Sequence, residues 1–494
     1  MARLALITLL LLPTPGWTQF PGDLQDALAD AVDLHRRSRA ERYRVATDPN
    51  ERHETLIGPV MFDRNPFDAL FTLGDEAFES ELDRSAGLGQ GDAFGPAPAP
   101  ARGRRLHDGE RGGLDASSCR SCHFVGGPDG SGRLSQLALL RGDGRHLSES
   151  VQRDAPHVMG LGYIARAARE TEAELDRRRR IALEQAADTE GPIRTRLLIG
   201  SRDFGYLTAL PDGTLVTDEL RGISADLRIR PFGHKGRHAD LVSLSDEALQ
   251  IHLGIQTDSR VSAYADDASH WLGEGGPYDR DDDGAQAEAT SAQAVLLSAY
   301  LSVLPVPQIR PPDDPRLLFV WARGYRAFET VGCAACHVPE LRIRALNTTL
   351  VAADESFDYA IDLAANGESP RPARVDFGAD EMDSIPSGTP IYAFTDLQRH
   401  DLGPELAEPL PEILPDGAGE VPGSVWLTRS LWGLADTAPY LHDGRAPTVE
   451  DAIVAHGGDA APSRAAYLAL DDEERAALRV FLASLTRDPV LLVE

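Results

Sequence analysis

Cys119-Arg120-Ser121-Cys122-His123 and Cys333-Ala334-Ala335-Cys336-His337 hold all four cysteines of the chain in two copies of one pattern. C-x-x-C-H is the covalent attachment signature of c-type haem. The spacing has a physical reason: two thiols three residues apart share one helical turn, where each can bond a haem vinyl group. The next residue then aims an imidazole at the iron from the same face. Other uses of the cysteines fit less well. A structural zinc site wants its C-x-x-C pairs about 15–20 residues apart, whereas here more than 200 residues separate them. A disulfide framework does not explain a histidine after each pair, and a thioredoxin-like redox pair needs one copy and no histidine. Two covalently bound haem c groups are therefore expected, with His123 on the iron of the first and His337 on the iron of the second.

Haem c is attached outside the cytoplasm, and the N-terminus agrees. Met1-Ala2-Arg3, the apolar run Leu4 to Leu12, and the small residues Gly16 and Thr18 read as a secretory signal peptide over residues 1–18. A nine-residue run falls well short of the ~20 apolar residues that cross a bilayer. An exported, periplasmic protein without an integral membrane span is expected. The balance of 49 Lys+Arg against 78 Asp+Glu gives a net charge of −29, with Lys235 the single lysine. A nucleic-acid partner is thereby disfavoured. The hydrophobic fraction of 42% supports substantial cores, and the 45 glycines and 34 prolines point to long loops between elements.

The fold class read from this pattern is mainly α: two cytochrome c-like haem domains with long loop insertions and a small β-hairpin. Helices are expected at 23–44, 165–188, 245–255, 291–303, 315–331, 448–456 and 471–486, that at 165–188 being strongly charged and solvated. Residues 95–103 read as an extended loop, and 206–216, centred on Pro211-Asp212-Gly213, as the hairpin. The Pro-rich stretch 304–315 marks the boundary between an N-terminal haem domain (19–310) and a C-terminal electron-transfer domain (311–494). Asp279, Asp281 and Asp283, followed by Gly284, match the first half of a calcium loop. Thr290 stands where its glutamate belongs, so an acidic solvated turn competes with Ca2+.

Further motifs lie around the haem pairs: Arg153-Asp-Ala-Pro-His157-Val-Met-Gly-Leu-Gly162, Arg230-Pro-Phe-Gly-His-Lys-Gly-Arg237, Phe394-Thr-Asp-Leu-Gln-Arg-His400-Asp-Leu-Gly403 and Thr437-Ala-Pro-Tyr-Leu-His442-Asp-Gly-Arg-Ala446. With these the chain resembles the exported di-haem c-type oxidoreductases, a family labelled as peroxidases or thiol oxidoreductases. That family is related to the bacterial di-haem cytochrome c peroxidases. The resemblance implies a sixth iron ligand fourteen residues after the histidine of H-D-G. The peroxidases carry a methionine there, and this chain carries His456, so His337 and His456 are expected on the second iron. Imidazole in place of a thioether lowers the potential of such a haem. A helix-end role for His456, before Gly457-Gly458, competes. Arg445, with its forked donors, is the expected propionate partner, and His400 is expected to wall the second haem rather than ligate it.

On the distal side of the first haem the sequence departs from the family, which uses W-D-G-R followed by a helix bearing Gln and Glu. His234, Glu247, Gln250 and His252 are the candidates here, with Lys235, His157 and Met159 as further neighbours. Trp321 and Trp432 could relay electrons between haems or serve as core aromatics. The expected function is a peroxidase-like oxidoreductase: the second haem exchanges electrons with a soluble periplasmic donor or acceptor protein, and the first meets a small oxidant such as peroxide. A pure electron-transfer cytochrome and a di-haem oxygenase on an organic substrate are the alternatives.

Overall fold

The computed structural model describes residues 74–79, 116–140, 151–263, 287–351, 358–363 and 388–487, with single positions left out inside these ranges. The signal peptide, the helix expected at 23–44, the loop at 95–103 and the acidic turn of Asp279, Asp281 and Asp283 lie outside the described residues. Helices provide the longest elements, and antiparallel sheets of two or three short strands connect them.

The helix α1 (Leu161–Thr189) carries ion pairs at helical spacing, Arg166–Glu170 at 2.8 Å, Arg178–Glu174 at 2.9 Å and Arg180–Asp176 at 3.1 Å. It is less solvated than its charge suggests. Ile164, Ala168, Thr171, Leu175, Ala182 and Ala186 form a buried stripe at helical spacing. Alanine contributes little to hydropathy, so the inward face is faint in the sequence. The hairpin forms as expected, with Leu215–Val216 pairing to the end of Arg202–Ala209 around Gly213 at φ +87°. A third strand, Ile193–Ile199, joins it. Its alternating arginines hid that strand: Arg194 stacks on Tyr206 at 3.5 Å and pairs with Glu219.

The helix α2 (Leu241–Ala248) starts at Asp240, whose side chain accepts from Ser243 N at 2.8 Å, and runs on as a π-helical turn through Leu253. Ser291–Val303 forms α3. Together α1, α2 and α3 enclose the larger core, whose buried residues include Leu175, Phe204, Leu249, Val295 and Tyr300. Ile343, Ile391, Leu397 and Trp432, from much later in the chain, join it.

The smaller core forms where α4 (Pro315–Thr330) crosses α6 (Asp472–Leu482). Asp314 caps α4 and Pro315 occupies its first turn. Gly324 is where the two helices touch, because a Cβ there would lie 2.0 Å from the Ala477 carbonyl oxygen. Trp321, Phe328, Phe394, Tyr467 and Phe481 fill the space around that crossing. Capping boxes start both α5 (Val449–Ala455), at Thr448 with Asp451, and α6, at Asp471 with Glu474. The last helix is shorter than expected. It stops at Leu482, and Leu485–Thr486 turns into a strand paired with Gln308–Ile309. None of the described helices is long and apolar enough to cross a membrane.

Candidate haem sites

Both C-x-x-C-H segments fold as a 3-10 turn whose last backbone amide returns to the first cysteine. His123 N donates to Cys119 O at 3.1 Å, and His337 N donates to Cys333 O at 3.0 Å. Gly332, at φ +92°, turns the chain out of α4 into the second motif. The four cysteines form no disulfide and are half-buried. Burial pushes the Cys119 thiol up to about 12 and Cys333 up to about 11, with the paired cysteine adding to each. Such thiols stay neutral at physiological pH in the absence of a bound group.

The histidines are prepared as ligands. His123 Nδ1 lies 3.3 Å from the Gly130 carbonyl oxygen and His337 Nδ1 lies 3.1 Å from that of Phe394. A carbonyl only accepts, so Nδ1 carries the proton and the Nε2 lone pair is left for a metal. Burial pulls both rings down to about 4, so both are neutral at physiological pH. His456 repeats this arrangement. It ends α5, its Nδ1 lies 2.7 Å from the Ala452 carbonyl oxygen, and burial lowers its pKa. After burial, its proximity is the strongest influence on His337. The helix-end role is present, and it is compatible with the ligand role because it engages Nδ1.

His400 stands in the same site. Its Nε2 lies 2.7 Å from Asp396 Oδ2, and donor atoms of Cys336, Asp396 and His400 lie within 4.8 Å of one another. Burial alone would lower its pKa, but the hydrogen bond to Asp396, aided by Cys336, carries it up to about 10. An imidazole committed in this way walls the site and is a poor iron ligand.

Around His123 the structure gathers His157, His252 and Arg429. His252 and Arg429 both depress His123, after burial; Arg429, Arg487 and His123 depress His157, which burial brings down to about 3. The buried Nδ1 of His157 has no hydrogen-bond partner. His234 belongs to the edge of this group, held well below its ordinary value by burial and then by Arg153, Arg429 and His442. Arg429 was missed in the sequence, where nothing distinguishes it from 47 other arginines. Burial lowers its pKa to about 10, and no carboxylate among the described residues offsets that burial. A half-buried guanidinium that no described carboxylate offsets fits a haem propionate. The residues present therefore fit the group.

Four expectations are corrected. Arg445 is exposed and spent on Asp443, at 2.6 Å from Nε, and on the Glu405 carbonyl, so Arg429 replaces it as the propionate candidate. Glu247 is consumed by Arg237 at 2.9 Å, His238 at 3.2 Å and Arg260 at 3.3 Å. Gln250 accepts from Arg260 Nη1 at 2.8 Å. Both belong to an ion network that ties the α2 segment to residues 257–263, so of the expected helical distal residues His252 alone influences His123. Lys235, wholly buried, donates to the carbonyls of Pro422 (3.1 Å), Gly423 (2.7 Å) and Val425 (2.9 Å) and lies 3.5 Å above the Trp426 ring. It is a structural cation. Trp321 and Trp432 are core aromatics whose indole N–H groups donate to Ser484 Oγ (2.8 Å) and the Tyr392 carbonyl (2.6 Å).

The site is built on two separate C-x-x-C-H segments whose surrounding residues fit haem. Residues 370–485 match the family described as "Di-haem oxidoreductase, putative peroxidase", which bears out the resemblance carried by the motifs. No curated protein matches the chain. Among solved structures it is similar to a MauG-like protein associated with microbial copper homeostasis, at 17% identity over 58% of this chain and 79% of that one, with a TM-score of 0.26. It is also similar to hydrazine synthase of Kuenenia stuttgartiensis, at 17% identity over 40% of this chain, with a TM-score of 0.23; the chain spans 56% of that protein's length.

Proposed function

We propose that this chain is a periplasmic, peroxidase-like oxidoreductase carrying two covalently attached haem c groups in two cytochrome c-like domains. Residues 1–18 direct export, 19–310 carry the reacting haem and 311–494 the electron-transfer haem. The observation that carries the reading is the common posture of His123, His337 and His456, each buried ring holding Nδ1 against a backbone carbonyl. Cys119 and Cys122 would anchor the first haem with His123 beneath it; Cys333 and Cys336 would anchor the second, between His337 and His456. When bound, haem supplies one-electron chemistry and, where a coordination position is open, cleavage of a peroxide bond. The chain's own residues do the rest. Arg429 holds an anionic edge of the first haem in place. His157, kept neutral chiefly by its burial, and His252 are the groups able to accept and return a proton on that side. Electrons enter or leave through the second site from a soluble partner protein.

The concentration of histidines around His123 favours one other reading, a pure electron-transfer cytochrome in which one of them closes the first iron. Electron paramagnetic resonance of protein matured with the haem-attachment machinery separates the two. One high-spin and one low-spin ferric iron are expected, with a mass increase of two haems; two low-spin irons would overturn the peroxidase reading, and no covalent haem would overturn both.

A further inference from the structure

Tyr300, on α3, is fully buried, and its hydroxyl donates to Asp129 Oδ1 at 2.8 Å with Asp75 Oδ1 at 3.1 Å. Its ring stands 5.5 Å from that of Phe78, which in turn stands 5.7 Å from the imidazole of His123. The contact is close: a Cβ on Gly74, in the same segment as Phe78, would meet Tyr300 Cβ at 2.3 Å. Arg120, inside the first C-x-x-C-H motif, binds Asp75 at 2.9 Å, pairs with Glu79 and stays 3.7 Å from Asp129. Asp75 is thus committed to a cation, and Asp129 is left as the phenol's main acceptor.

We propose that Tyr300 is a redox-active tyrosine that supplies an electron to the first haem site when peroxide oxidises it, as its phenolic proton passes to Asp129. The inference rests on the peroxidase-like reading of that site. Reduction of peroxide to two waters takes two electrons and two protons. One electron comes from the first haem and one from Tyr300, through Phe78 and His123, while the protons of the product waters come from solvent. At Tyr300 the O–H bond breaks and an O–H bond forms on Asp129, leaving a neutral phenoxyl radical beside a neutral carboxylic acid. Two electrons arriving in turn from the partner protein complete the cycle: one reduces the phenoxyl as the Asp129 proton returns to the phenol, and the other makes good the electron given up at the first haem site. The surroundings favour this coupled route. Burial, followed by the two carboxylates, raises the phenol pKa far above its ordinary value, so the resting phenol keeps its proton. Burial also raises Asp129, against the pull of the Tyr300 hydrogen bond and Arg120, which makes its carboxylate a better proton acceptor. No solvent reaches the ring, so a radical formed there persists until an electron returns.

The test is freeze-quench electron paramagnetic resonance of the haem-loaded full chain mixed with hydrogen peroxide. The expected result is an organic-radical signal that narrows when the protein is grown on ring-deuterated tyrosine. Tyr300→Phe should remove that signal while the first haem still changes its optical spectrum with peroxide, and Asp129→Asn should lower the radical yield at least tenfold. Should Tyr300→Phe fail to accumulate, Asp129→Asn carries the test. A tyrosyl signal that survives Tyr300→Phe, an undiminished yield in Asp129→Asn, or a peroxide-reactive wild type without a tyrosyl signal would overturn the proposal alone. A wild type whose first haem ignores peroxide would overturn the peroxidase-like reading together with it.

Discussion

Replacing Lys235 by Met tests whether the only lysine in the chain is a structural cation or a haem-site group. The ammonium makes three hydrogen bonds to carbonyls, lies over Trp426 and stands 3.6 Å from Glu408 Oε2. At least two of those carbonyls keep another partner after its removal, since Pro422 O also accepts from Val425 N and Gly423 O from Glu408 N. The cost is then mainly the net value of three hydrogen bonds, about 1 kcal/mol each, and of a desolvated cation–π contact, about 1–2 kcal/mol. Arg153 would be left as the arginine bridging Glu408 and Glu412. Methionine recovers part of the loss as buried apolar surface, which leaves about 3–5 kcal/mol, the range for breaking a buried charge cluster. For a cooperative unit of 150–250 residues this lowers Tm by about 10 °C. The assay is calorimetric melting of the haem-loaded protein alongside its optical spectrum. A fall of less than about 2 °C, with a changed spectrum or potential of the first haem, would refute the structural assignment and return Lys235 to the haem.

Other consequences follow from the same geometry. His456→Ala should convert the second haem from a low-spin bis-imidazole spectrum to a high-spin or ligand-exchanged one, and an unchanged spectrum would remove His456 from the iron. Arg429→Leu removes a half-buried cation from the first site, so the midpoint potential of that haem should fall. The fall is roughly 60 mV for each 1.4 kcal/mol of lost interaction, and a spectroelectrochemical titration showing no fall would exclude Arg429 as a propionate partner. Asp154 is buried, has one oxygen without a partner, and is raised by that burial from 3.8 to about 6. Because its folded value exceeds its unfolded one, its contribution to stability is full below pH 3.8 and is lost as pH rises through 6. Asp154→Asn should therefore stabilise the protein by about 1–3 kcal/mol at pH 7 and by nothing near pH 3.5, since each tenfold change in proton affinity is worth about 1.4 kcal/mol. Equal gains at both pH values in denaturant titrations would show that ionisation is not the cause.

The sequence alone was enough for features whose determinants are local. Cysteine spacing names the cofactor chemistry, because thioether attachment needs two thiols and an imidazole on one turn. Capping residues such as Asp314 with Pro315, Thr448 and Asp471 set helix starts because they satisfy amides two or three residues away. His456 could be singled out as a ligand candidate because the family resemblance gives its offset from the H-D-G motif within one short segment. What depends on residues distant in the chain was not legible. Glu247 and Gln250 have the chemistry of a peroxidase distal side, but Arg237, His238 and Arg260 engage them, and only folding brings those partners together. Arg445 and Arg429 are the same residue type sixteen positions apart. The tertiary structure alone exposes one to solvent beside Asp443 and half-buries the other beside His123 and His157. Burial and charge pairing belong to the assembled core, not to any stretch of chain, and they decide which of many polar side chains keeps a free hand for chemistry.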